Sequence, residues 1–321
     1  LPDASVDAVI TDPPYNGVKD DAWDNQWATD ADYIAWIGQL CEQWRRVLKP
    51  NGSLYVFASP RMAARVEVEI GRWFNVLNRI TWQKPRFSTK AEMFDKDTMR
   101  AFFPASEAII FAEQFASDGR YASQEYEING RVFRPLKQWF RDCAAAHGIG
   151  LGQLNAALGA ATNGGGLASG FFGDKMEFQP PTEARYAQMQ AAFPGVFDRN
   201  YHDIRREYEA LRREYEALRR PFTVSPFAPY TDVWTFATVQ HYDGKHVCEK
   251  PLALMEHIVK ASTRAGDVVL DCFCGSGATL DAARRLGRRY IGGDADPHWA
   301  AYAKRRVGHE YTLPMMFEAT P

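Results

Sequence analysis

Cysteine is scarce in this 321-residue chain, which has only five, at Cys41, Cys143, Cys248, Cys272 and Cys274. Their number is odd and their spacing irregular, which gives no disulfide framework and favours a reducing cytoplasm over secretion. Cys272 and Cys274 form one Cys-x-Cys pair, but no second pair with nearby histidines completes a metal site. We therefore expect no disulfides and no bound metal.

The sequence also lacks long apolar runs and an excess of charge of either sign. No stretch is long enough to span a membrane, and no signal peptide is visible. Lys and Arg total 38 against 40 Asp and Glu, for a net charge of -2. Any affinity for nucleic acid must then come from local basic patches such as residues 199–220 and 284–306. The chain starts at Leu1 without a methionine and enters a strand almost at once, which indicates a fragment whose first residues are missing.

What the sequence does contain is an alternation of strands and helices near both ends. With 46% hydrophobic residues, the chain can build one sizeable α/β core and a smaller appended region. The alternation predicts a doubly wound, mostly parallel sheet with helices on both faces. Predicted strands cover residues 6–11, 53–58, 78–83, 108–112, 267–271 and 289–294, with a turn at residues 49–52. Predicted helices cover residues 29–48, 62–73, 252–263, 275–286 and 297–307.

The middle of the chain interrupts this pattern. It shows several short helices and a glycine-rich stretch at residues 163–173, while residues 147–158 resemble a helix-turn-helix. The heptad Arg-Arg-Glu-Tyr-Glu-Ala-Leu occurs at 205–211 and again at 212–218, which produces one apolar helix face. Two heptads favour a helix packed on its own domain over a dimer zipper. The predicted domains are two halves of an α/β domain, residues 1–112 and 223–321, and an inserted helical domain, residues 113–222.

The tetrapeptide Asp12-Pro13-Pro14-Tyr15 follows the first predicted strand. Two successive prolines fix φ and remove two donors, so the segment forms a rigid elbow. Open α/β sheets bind ligands at the carboxyl ends of their strands. There the Asp12 carboxylate and the Pro13 carbonyl can converge on one amino group, while Tyr15 offers a flat surface for stacking a base. Taken alone, the tetrapeptide could equally be a turn with a helix-start aspartate.

A second motif, Asp271-Cys272-Phe273-Cys274-Gly275-Ser276-Gly277, follows a predicted strand and opens a helix. This is the context of a nucleotide-type cofactor loop, in which glycines let the backbone approach the ligand and Phe273 can pack beside it. Asp294 ends the next strand, where a carboxylate can bind two ribose hydroxyls. The three-glycine dinucleotide fingerprint is absent, which favours an adenosine ligand without a pyrophosphate.

Together these motifs resemble those of the DNA amino-methyltransferases, which modify N6 of adenine or N4 of cytosine. The order, with the catalytic elbow first and a Phe-x-Gly-x-Gly loop last, is similar to the permuted beta class of that family. Three further segments are similar to family motifs: residues 246–252 with Lys250-Pro251, residues 292–296, and Trp82-Gln83-Lys84-Pro85.

The resemblance covers about residues 1–111 and 222–307, and it departs at Val247 and Cys272, where the family often has proline. It implies a Rossmann-like methyltransferase fold with an inserted target-recognition domain, and S-adenosylmethionine as the cofactor. The implied catalytic residues are Asp12, Pro13, Pro14 and Tyr15. The implied cofactor-binding residues are Asp271, Phe273, Gly275, Ser276, Gly277, Asp294, Lys250 and Pro251.

The resemblance also implies duplex DNA as the substrate, a homodimer, and a cytoplasmic location near bacterial or phage DNA. No Pro-Cys dipeptide occurs, which excludes methylation at cytosine C5, and Asp12 favours adenine over cytosine by analogy. The alternatives are an N4-cytosine enzyme, an RNA enzyme, or a DNA-binding protein of the same fold without activity. The loop at residues 17–29 could close over a flipped base or be a passive connection. Candidate DNA contacts are Lys19, Trp82, Lys84, Lys175, Arg185, Arg199, Arg205 and Arg206.

Overall fold

The computed structural model describes residues 1–85, 100, 102, 104–115, 124–160, 166–172, 178–223 and 231–308. The chain forms two compact units, one made of residues 1–115 and 220–321 and the other of residues 116–219. Within the described ranges, no helix is long and apolar enough to cross a membrane.

The first unit is built on a seven-stranded sheet with the order β5-β3-β4-β2-β1-β6-β7. The strands are β1 (Val6–Thr11), β2 (Leu48–Ala58), β3 (Asn75–Gln83), β4 (Ser106–Glu113), β5 (Val233–Thr235), β6 (Val268–Asp271) and β7 (Arg289–Gly292). The helices of this unit are α1 (Asp30–Val47), α2 (Ala63–Ile70), α8 (Leu252–Ser262), α9 (Ala278–Arg285) and α10 (Pro297–Val307). The prediction of a mixed α/β fold with a mostly parallel sheet is confirmed.

One strand of the sheet runs against its neighbours. β4 is antiparallel to both β2 and β3, whereas the pairs β1–β2, β1–β6, β6–β7 and β3–β5 are parallel. Because β3 and β4 are consecutive and antiparallel, no crossover helix is needed between them. Sequence alternation does not reveal strand direction, so this reversal was not predicted.

Two local features of the sheet differ from the sequence predictions. The predicted turn at residues 49–52 lies inside β2, where the register shifts between the partners of Val6 and Ala8. Lys49 Nζ bonds Asp7 Oδ1 at 2.7 Å, which holds this irregular stretch against β1. The short strand β5 was missed because three residues are too few to show an alternating pattern.

Helices cover both faces of the sheet because successive strand residues point to opposite sides. Val9 faces the layer of α1 and α2, and the next residue, Ile10, faces the layer of α8, α9 and α10; both are fully buried. Helix α1 begins with a capping box, in which Thr29 Oγ1 accepts from the Asp32 amide and Asp32 Oδ2 accepts from the Thr29 amide. The same helix buries Ile37, among others, against the sheet.

The second unit is helical in its described residues and has its own core. Its helices are α3 (Gln124–Ala146), α4 (Leu151–Ala157), α5 (Ala168–Phe172), α6 (Glu183–Ala192) and α7 (Tyr201–Leu218). Four residues separate α3 from α4, so the segment predicted to resemble a helix-turn-helix consists of this connection and α4. Helix α7 carries the repeated heptad, and Tyr208 and Tyr215 contact the Phe133 ring with centroids 5.7 and 5.6 Å apart. The apolar heptad face therefore packs on its own unit.

Candidate functional site

The elbow and the glycine loop lie side by side because β1 and β6 are adjacent parallel strands. Thr11, the last residue of β1, donates from Oγ1 to Asp271 Oδ1 at 2.9 Å. Asp271 also accepts from Thr279 Oγ1 (2.6 Å) and from the Phe273 amide (3.2 Å), and burial raises its pKa to about 6. Asp271 thus ties the glycine loop to both strands, while its predicted contact with a cofactor stays a prediction.

The glycine loop curls around a second carboxylate at the end of β7. Asp294 Oδ2 accepts from the Gly275 amide at 2.8 Å, and Asp294 Oδ1 accepts from the Asp296 amide at 2.9 Å. Gly275 has φ +46, and a Cβ atom at this position would lie 3.1 Å from the His246 ring. The side of the His246 ring packs on Trp299, with centroids 4.4 Å apart. The loop backbone, the half-buried Asp294 carboxylate and the His246 ring therefore lie next to one another.

Arg306 and Trp36, which lie outside this loop, contact two of its residues. Ser276 is 3% exposed, and its carbonyl and Oγ atoms each lie 3.2 Å from the Arg306 guanidinium. Arg306 is fixed in turn by Glu249 at 2.8 Å. Phe273 packs edge-on against Trp36 of α1, with centroids 5.6 Å apart. Cys272, where the family often has proline, accepts a hydrogen bond from Trp44 Nε1 at 3.3 Å, so this departure is absorbed by packing.

We expect Gly277→Ala to destabilise the protein more than Gly287→Ala does. Both glycines have a left-handed φ, +77 and +71, so each alanine variant carries a similar backbone strain. A Cβ at Gly277 would lie 3.0 Å from Ala303 Cβ of α10, whereas a Cβ at Gly287 would have no neighbour within 4 Å. The added overpacking should make Gly277→Ala worse by roughly 1–3 kcal/mol in the free energy of unfolding. Equal losses in urea denaturation would show that the loop and α10 do not approach this closely.

The elbow places Asp12 in a buried ion pair. Lys250 Nζ donates to Asp12 Oδ2 and also lies 3.3 Å from Glu107 Oε2. The Lys250 and Asp12 side chains are only 9% and 18% exposed. The other carboxylate oxygen, Asp12 Oδ1, is buried and has no hydrogen-bond partner in the described structure. Leaving a buried polar atom unpaired is costly, so water or a ligand is expected to donate to this acceptor.

Glu107, on β4, is a site residue that sequence reasoning missed. It accepts from Lys84 Nζ at 2.6 Å and from Tyr15 Oη at 3.0 Å, in addition to facing Lys250. Two ammonium groups therefore oppose two carboxylates in a cluster that is formally neutral. No motif marks Glu107, and it comes just before the predicted strand, so the sequence held no signal that could have identified it.

Burial and pairing shift the titration of this cluster in opposite directions. Burial raises the pKa of Asp12 above its usual range, and Lys250 only partly offsets this. Burial also opposes ionisation of Glu107, but the Lys250 and Lys84 ammonium groups outweigh it and lower the pKa of Glu107 to about 2. For Lys250, the two carboxylates overcome burial and raise the pKa. Burial, reinforced by Asp12 and Glu107, raises the pKa of Tyr15 well above its ordinary value. The cluster thus favours a charged Lys250 and a neutral Tyr15.

Hydrogen bonds from two tyrosine hydroxyls, those of Tyr15 and Tyr33, hold the elbow in place. Tyr15 has its hydroxyl on Glu107, and the Lys250 ammonium lies 5.4 Å from the centre of its ring. Tyr33 of α1 is buried and donates its hydroxyl to the Pro14 carbonyl at 2.9 Å. Tyr33 also contacts Trp27, with centroids 5.0 Å apart. The Asp-Pro-Pro-Tyr segment is therefore held rigidly, as its two prolines predict.

For Lys250 and Trp82, the contacts in the structure differ from those expected for the predicted roles. Lys250 was predicted to bind cofactor, but its ammonium is directed to the elbow because a buried cation needs carboxylate partners. Trp82 was predicted to contact DNA, but it is 2% exposed, and its indole N–H is satisfied by the Phe236 carbonyl at 2.9 Å. A direct DNA contact does not fit that burial. Pro251 is buried and is the N-cap residue just before α8.

The remaining candidate DNA contacts are mostly in ion pairs within their own unit. Lys84 pairs with Glu107, while Lys19 and Arg185 are partly exposed. Lys175 lies outside the described residues. The arginines of the second unit pair locally, Arg199 with Glu207, Arg205 with Glu209, and Arg206 with Asp203. Arg206 is still 79% exposed at its side chain, so pairing does not remove it from solvent. Among the described residues, no group of three His, Cys, Asp or Glu side chains could hold a metal ion.

Comparison with known families identifies the family to which this chain belongs. A model of the N6/N4 DNA methylase family matches residues 6–305, and the chain belongs to that family. The family consists of DNA methyltransferases that use S-adenosylmethionine, in agreement with the resemblance seen in the sequence.

Some curated proteins are similar to nearly the whole of this chain, and others only to a short segment of it. The DNA adenine methyltransferase YhdJ of Escherichia coli is 23% identical over 318 residues, which is 96% of this chain and 78% of that protein. The type II methyltransferase M.HpaI of Haemophilus parainfluenzae is 23% identical over 97% of this chain and 71% of its own. The type II methyltransferase M2.DpnII of Streptococcus pneumoniae is 46% identical over 82 residues, and that match spans only 31% of its length and 25% of this chain.

Solved structures agree on the fold. The complex of M1.HpyAVI with S-adenosylmethionine has a TM-score of 0.50 and 18% identity, with 95% of this chain and 90% of that chain covered. The cytosine-N4-specific PvuII DNA methyltransferase also has a TM-score of 0.50, with 14% identity, 98% of this chain and 83% of that chain covered. At these identities the likeness concerns the fold alone.

Proposed function

We propose that this protein transfers a methyl group from S-adenosylmethionine to N6 of an adenine that has been flipped out of duplex DNA. The observation that carries the proposal is the open acceptor Asp12 Oδ1, buried at the elbow next to Tyr15. A base amino group is a donor of the right kind for this acceptor. The family to which the chain belongs indicates the class of reaction. The elbow provides a place where the amino group of the base, the nucleophile, can bind.

The glycine loop fits the cofactor of this family. Gly275 leaves room beside His246 that any side chain would fill, and the half-buried Asp294 lies at the end of the adjoining strand. We assign the adenosine portion to Phe273, Gly275 and Asp294, with Asp271, Ser276 and Gly277 shaping the loop. When bound, S-adenosylmethionine supplies a methyl group that is already electrophilic.

The elbow acts on the nucleophile. The lone pair of an exocyclic amino group is delocalised into the base, so the nitrogen attacks poorly until it becomes more tetrahedral. Hydrogen bonds from the amino group to Asp12 Oδ1 and to the Pro13 carbonyl favour that geometry and stabilise the positive charge that develops on nitrogen. The raised pKa of Asp12 also suits it to take up a proton from this nitrogen. Lys250 and Tyr33 hold the two acceptors in place through Asp12 Oδ2 and the Pro14 carbonyl.

The base has to leave the duplex to reach a buried acceptor. Base flipping is the usual solution for enzymes that modify bases, and the extruded base then stacks on an aromatic side chain. Tyr15 is the stacking partner that we propose, since its ring adjoins Asp12 and its hydroxyl is anchored on Glu107. Proximity of the amino nitrogen to the methyl donor then accounts for much of the rate.

Adenine is proposed over cytosine on two grounds. An aspartate at position 12 is the commoner choice among the adenine enzymes that the sequence resembles. One relative that aligns over nearly the whole chain is named an adenine methyltransferase, although it is only 23% identical. N4-cytosine methylation would use the same elbow chemistry and is the competing outcome.

Methyl transfer from labelled S-adenosylmethionine to random-sequence duplex DNA tests the proposal directly. The DNA would be digested to nucleosides and resolved by mass, with an RNA pool treated in parallel. We expect label on N6-methyladenine from DNA. Label on N4-methylcytosine would overturn the choice of base and keep the reaction, whereas label on RNA alone or on neither pool would overturn the proposed substrate.

We propose that the second unit, which lies between the two halves of the methyltransferase domain in sequence, recognises the target sequence. Its helices α3 and α4 are joined by four residues, a connection length compatible with a helix-turn-helix. Arg185, Arg199, Arg205 and Arg206 are its candidate contacts to phosphates and base edges. Duplex DNA is the proposed substrate, and the proposed location is the cytoplasm, in association with bacterial or phage DNA. A role in a restriction-modification system is part of the same proposal.

A homodimer is expected by analogy with the family. Equilibrium sedimentation at micromolar protein should give twice the mass of the chain, either alone or with DNA. Because the heptad face of α7 packs on its own core, Leu211→Glu should destabilise the second unit but should not act as a specific dimer-breaking change. A monomer under both conditions would remove the dimer from the proposal.

A further inference from the structure

The loop that follows the elbow is organised around one buried carboxylate. Asp24 ends the short 3₁₀ helix Ala22–Asp24 and is 1% exposed. Its Oδ1 accepts from the amides of Tyr15 (2.6 Å) and Asn16 (3.0 Å), and its Oδ2 accepts from the amides of Val18 and Lys19, both at 2.7 Å. The Asp24 carbonyl accepts from the Gly17 amide at 2.8 Å. All five successive amides from residue 15 to residue 19 are therefore bound by Asp24.

The backbone of this segment is bent so that its amides converge. Asn16 and Gly17 have φ values of +60 and +83, in the left-handed region where asparagine and glycine are best tolerated. Successive amides in such a curl form a nest, which ordinarily binds an anion. Here the anion is supplied by the chain itself, and hydrogen bonds to an ionised group are among the stronger ones.

We propose that Asp24 is a positioning residue for methyl transfer, because it fixes Tyr15 before the target base arrives. Tyr15 is held at two points, its amide by Asp24 and its hydroxyl by Glu107. With both ends fixed, the ring can turn little about the elbow, and a base that stacks on it is held beside Asp12. The same nest fixes the backbone of Lys19. This inference rests on the proposed function, since it presumes that a base is what Tyr15 receives.

The sequence alone does not distinguish Asp24 from the other aspartates of the loop. The loop is rich in Asp, Asn and Trp, and Asp20, Asp21 and Asp24 look equivalent there. In the structure only Asp24 of these three is buried, whereas Asp20 and Asp21 are exposed. The first part of the loop is thus a preorganised extension of the elbow and not a passive connection.

Asp24→Asn tests the proposal against Asp21→Asn, the same chemical change at an exposed position three residues earlier. The amide variant presents a donor to two of the four amides, so the nest should open. We expect the turnover number for methyl transfer to fall by about 100-fold, the scale of a misplacement of about 1 Å at a reacting centre. Cofactor affinity, measured by titration calorimetry, should stay within about two-fold, since the glycine loop is on other strands. Asp21→Asn should match the wild type in both measurements.

Amide hydrogen exchange of the segment 15–19 provides a second readout. Its protection should be lost in Asp24→Asn and kept in Asp21→Asn, with the rest of the sheet unchanged. Should Asp24→Asn unfold, Gly17→Ala replaces it, because a Cβ there would meet nothing closer than 3.7 Å and would only strain the curl. An unchanged turnover number in Asp24→Asn, or in Gly17→Ala if it is needed, would overturn the positioning role.

The experiment separates this inference from the proposed function. If the wild type methylates DNA and the Asp24 variant does so equally well, the inference fails and the function stands. If the wild type methylates no nucleic acid, the proposed function fails and with it the role in holding a base. Hydrogen exchange then still decides whether Asp24 orders the loop.

Discussion

Asp12→Ala is expected to lower the rate constant for methyl transfer by at least about 10³-fold, while the affinity for S-adenosylmethionine changes by no more than a few-fold. Removing one preorganised hydrogen-bonding group at a centre of developing charge typically lowers the rate by about 10²–10³-fold. Asp12 is assigned two roles, as an acceptor through Oδ1 and as a negative charge beside the amino nitrogen, so the upper end is expected. The glycine loop is tied to β6 and β7 and does not depend on Asp12 for its shape.

Single-turnover transfer and cofactor titration together measure this effect. Asp3→Ala is the matched control, since Asp3 precedes the opposite end of the same strand and its side chain is 77% exposed in a surface pair with Arg46. Lys250 retains Glu107 as a partner in Asp12→Ala, so the variant should remain folded. Loss of cofactor binding in a folded Asp12 variant would contradict the role assigned to Asp12.

Lys250→Met is expected to produce the largest loss of stability, about 3–5 kcal/mol in the free energy of unfolding. The substitution keeps the length of the side chain but leaves Asp12 and Glu107 buried without their shared cation. Breaking a buried ion pair at one partner costs about this much because the remaining charge is uncompensated. Lys260→Met is the matched control on α8, where the lysine is 58% exposed and its pair with Glu256 has a separation of 3.6 Å. That change should fall within about 0.5 kcal/mol.

Urea denaturation of the two variants and of the double variant Lys250→Met with Glu107→Gln provides the measurement. The double variant should recover part of the loss because one unpaired carboxylate has been removed. An equal loss in Lys250→Met and Lys260→Met would mean that the cluster around Lys250 is hydrated and not buried.

Stability should also depend on pH through Glu107. Because its pKa in the folded protein is lowered to about 2, it contributes stability above its unfolded value of about 4.3. That contribution should be lost as the pH falls from about 4 toward 2. The difference in unfolding free energy between wild type and Glu107→Gln should shrink over this range, and a difference that grew on acidification would contradict the sign.

Both motifs could be predicted from the sequence because each is a short segment whose chemistry is local. Two prolines after a buried strand make an elbow whatever surrounds them, and glycines between a strand and a helix mark a close approach of the backbone. The same local logic predicted most helix and strand positions. It did not predict β5, which is too short to have a period, or the reversed direction of β4, which side-chain alternation does not encode.

The predictions that the structure redirected concern residues whose role depends on distant partners. Lys250 lies next to Pro251 in a cofactor-like motif, yet its charge is taken by Asp12 and by Glu107, which is 143 residues away in the chain. Trp82 was a candidate DNA contact, yet the sheet buries it. Which residues become buried or form ion pairs depends on which strands become neighbours. A local sequence pattern does not predict the neighbours of a strand.

The sequence by itself determined the class of fold, the elbow, the glycine loop and the family, because these depend on backbone preferences and on residues that are adjacent in the chain. Only the tertiary structure decided the charge balance of the site and the rigidity of the elbow. Glu107 reaches the site from β4 and Tyr33 from α1, and Asp24 returns along its loop to bind five amides. The physical reason is that hydrogen bonds and ion pairs act over a few ångströms in space, whatever the separation of their partners in sequence.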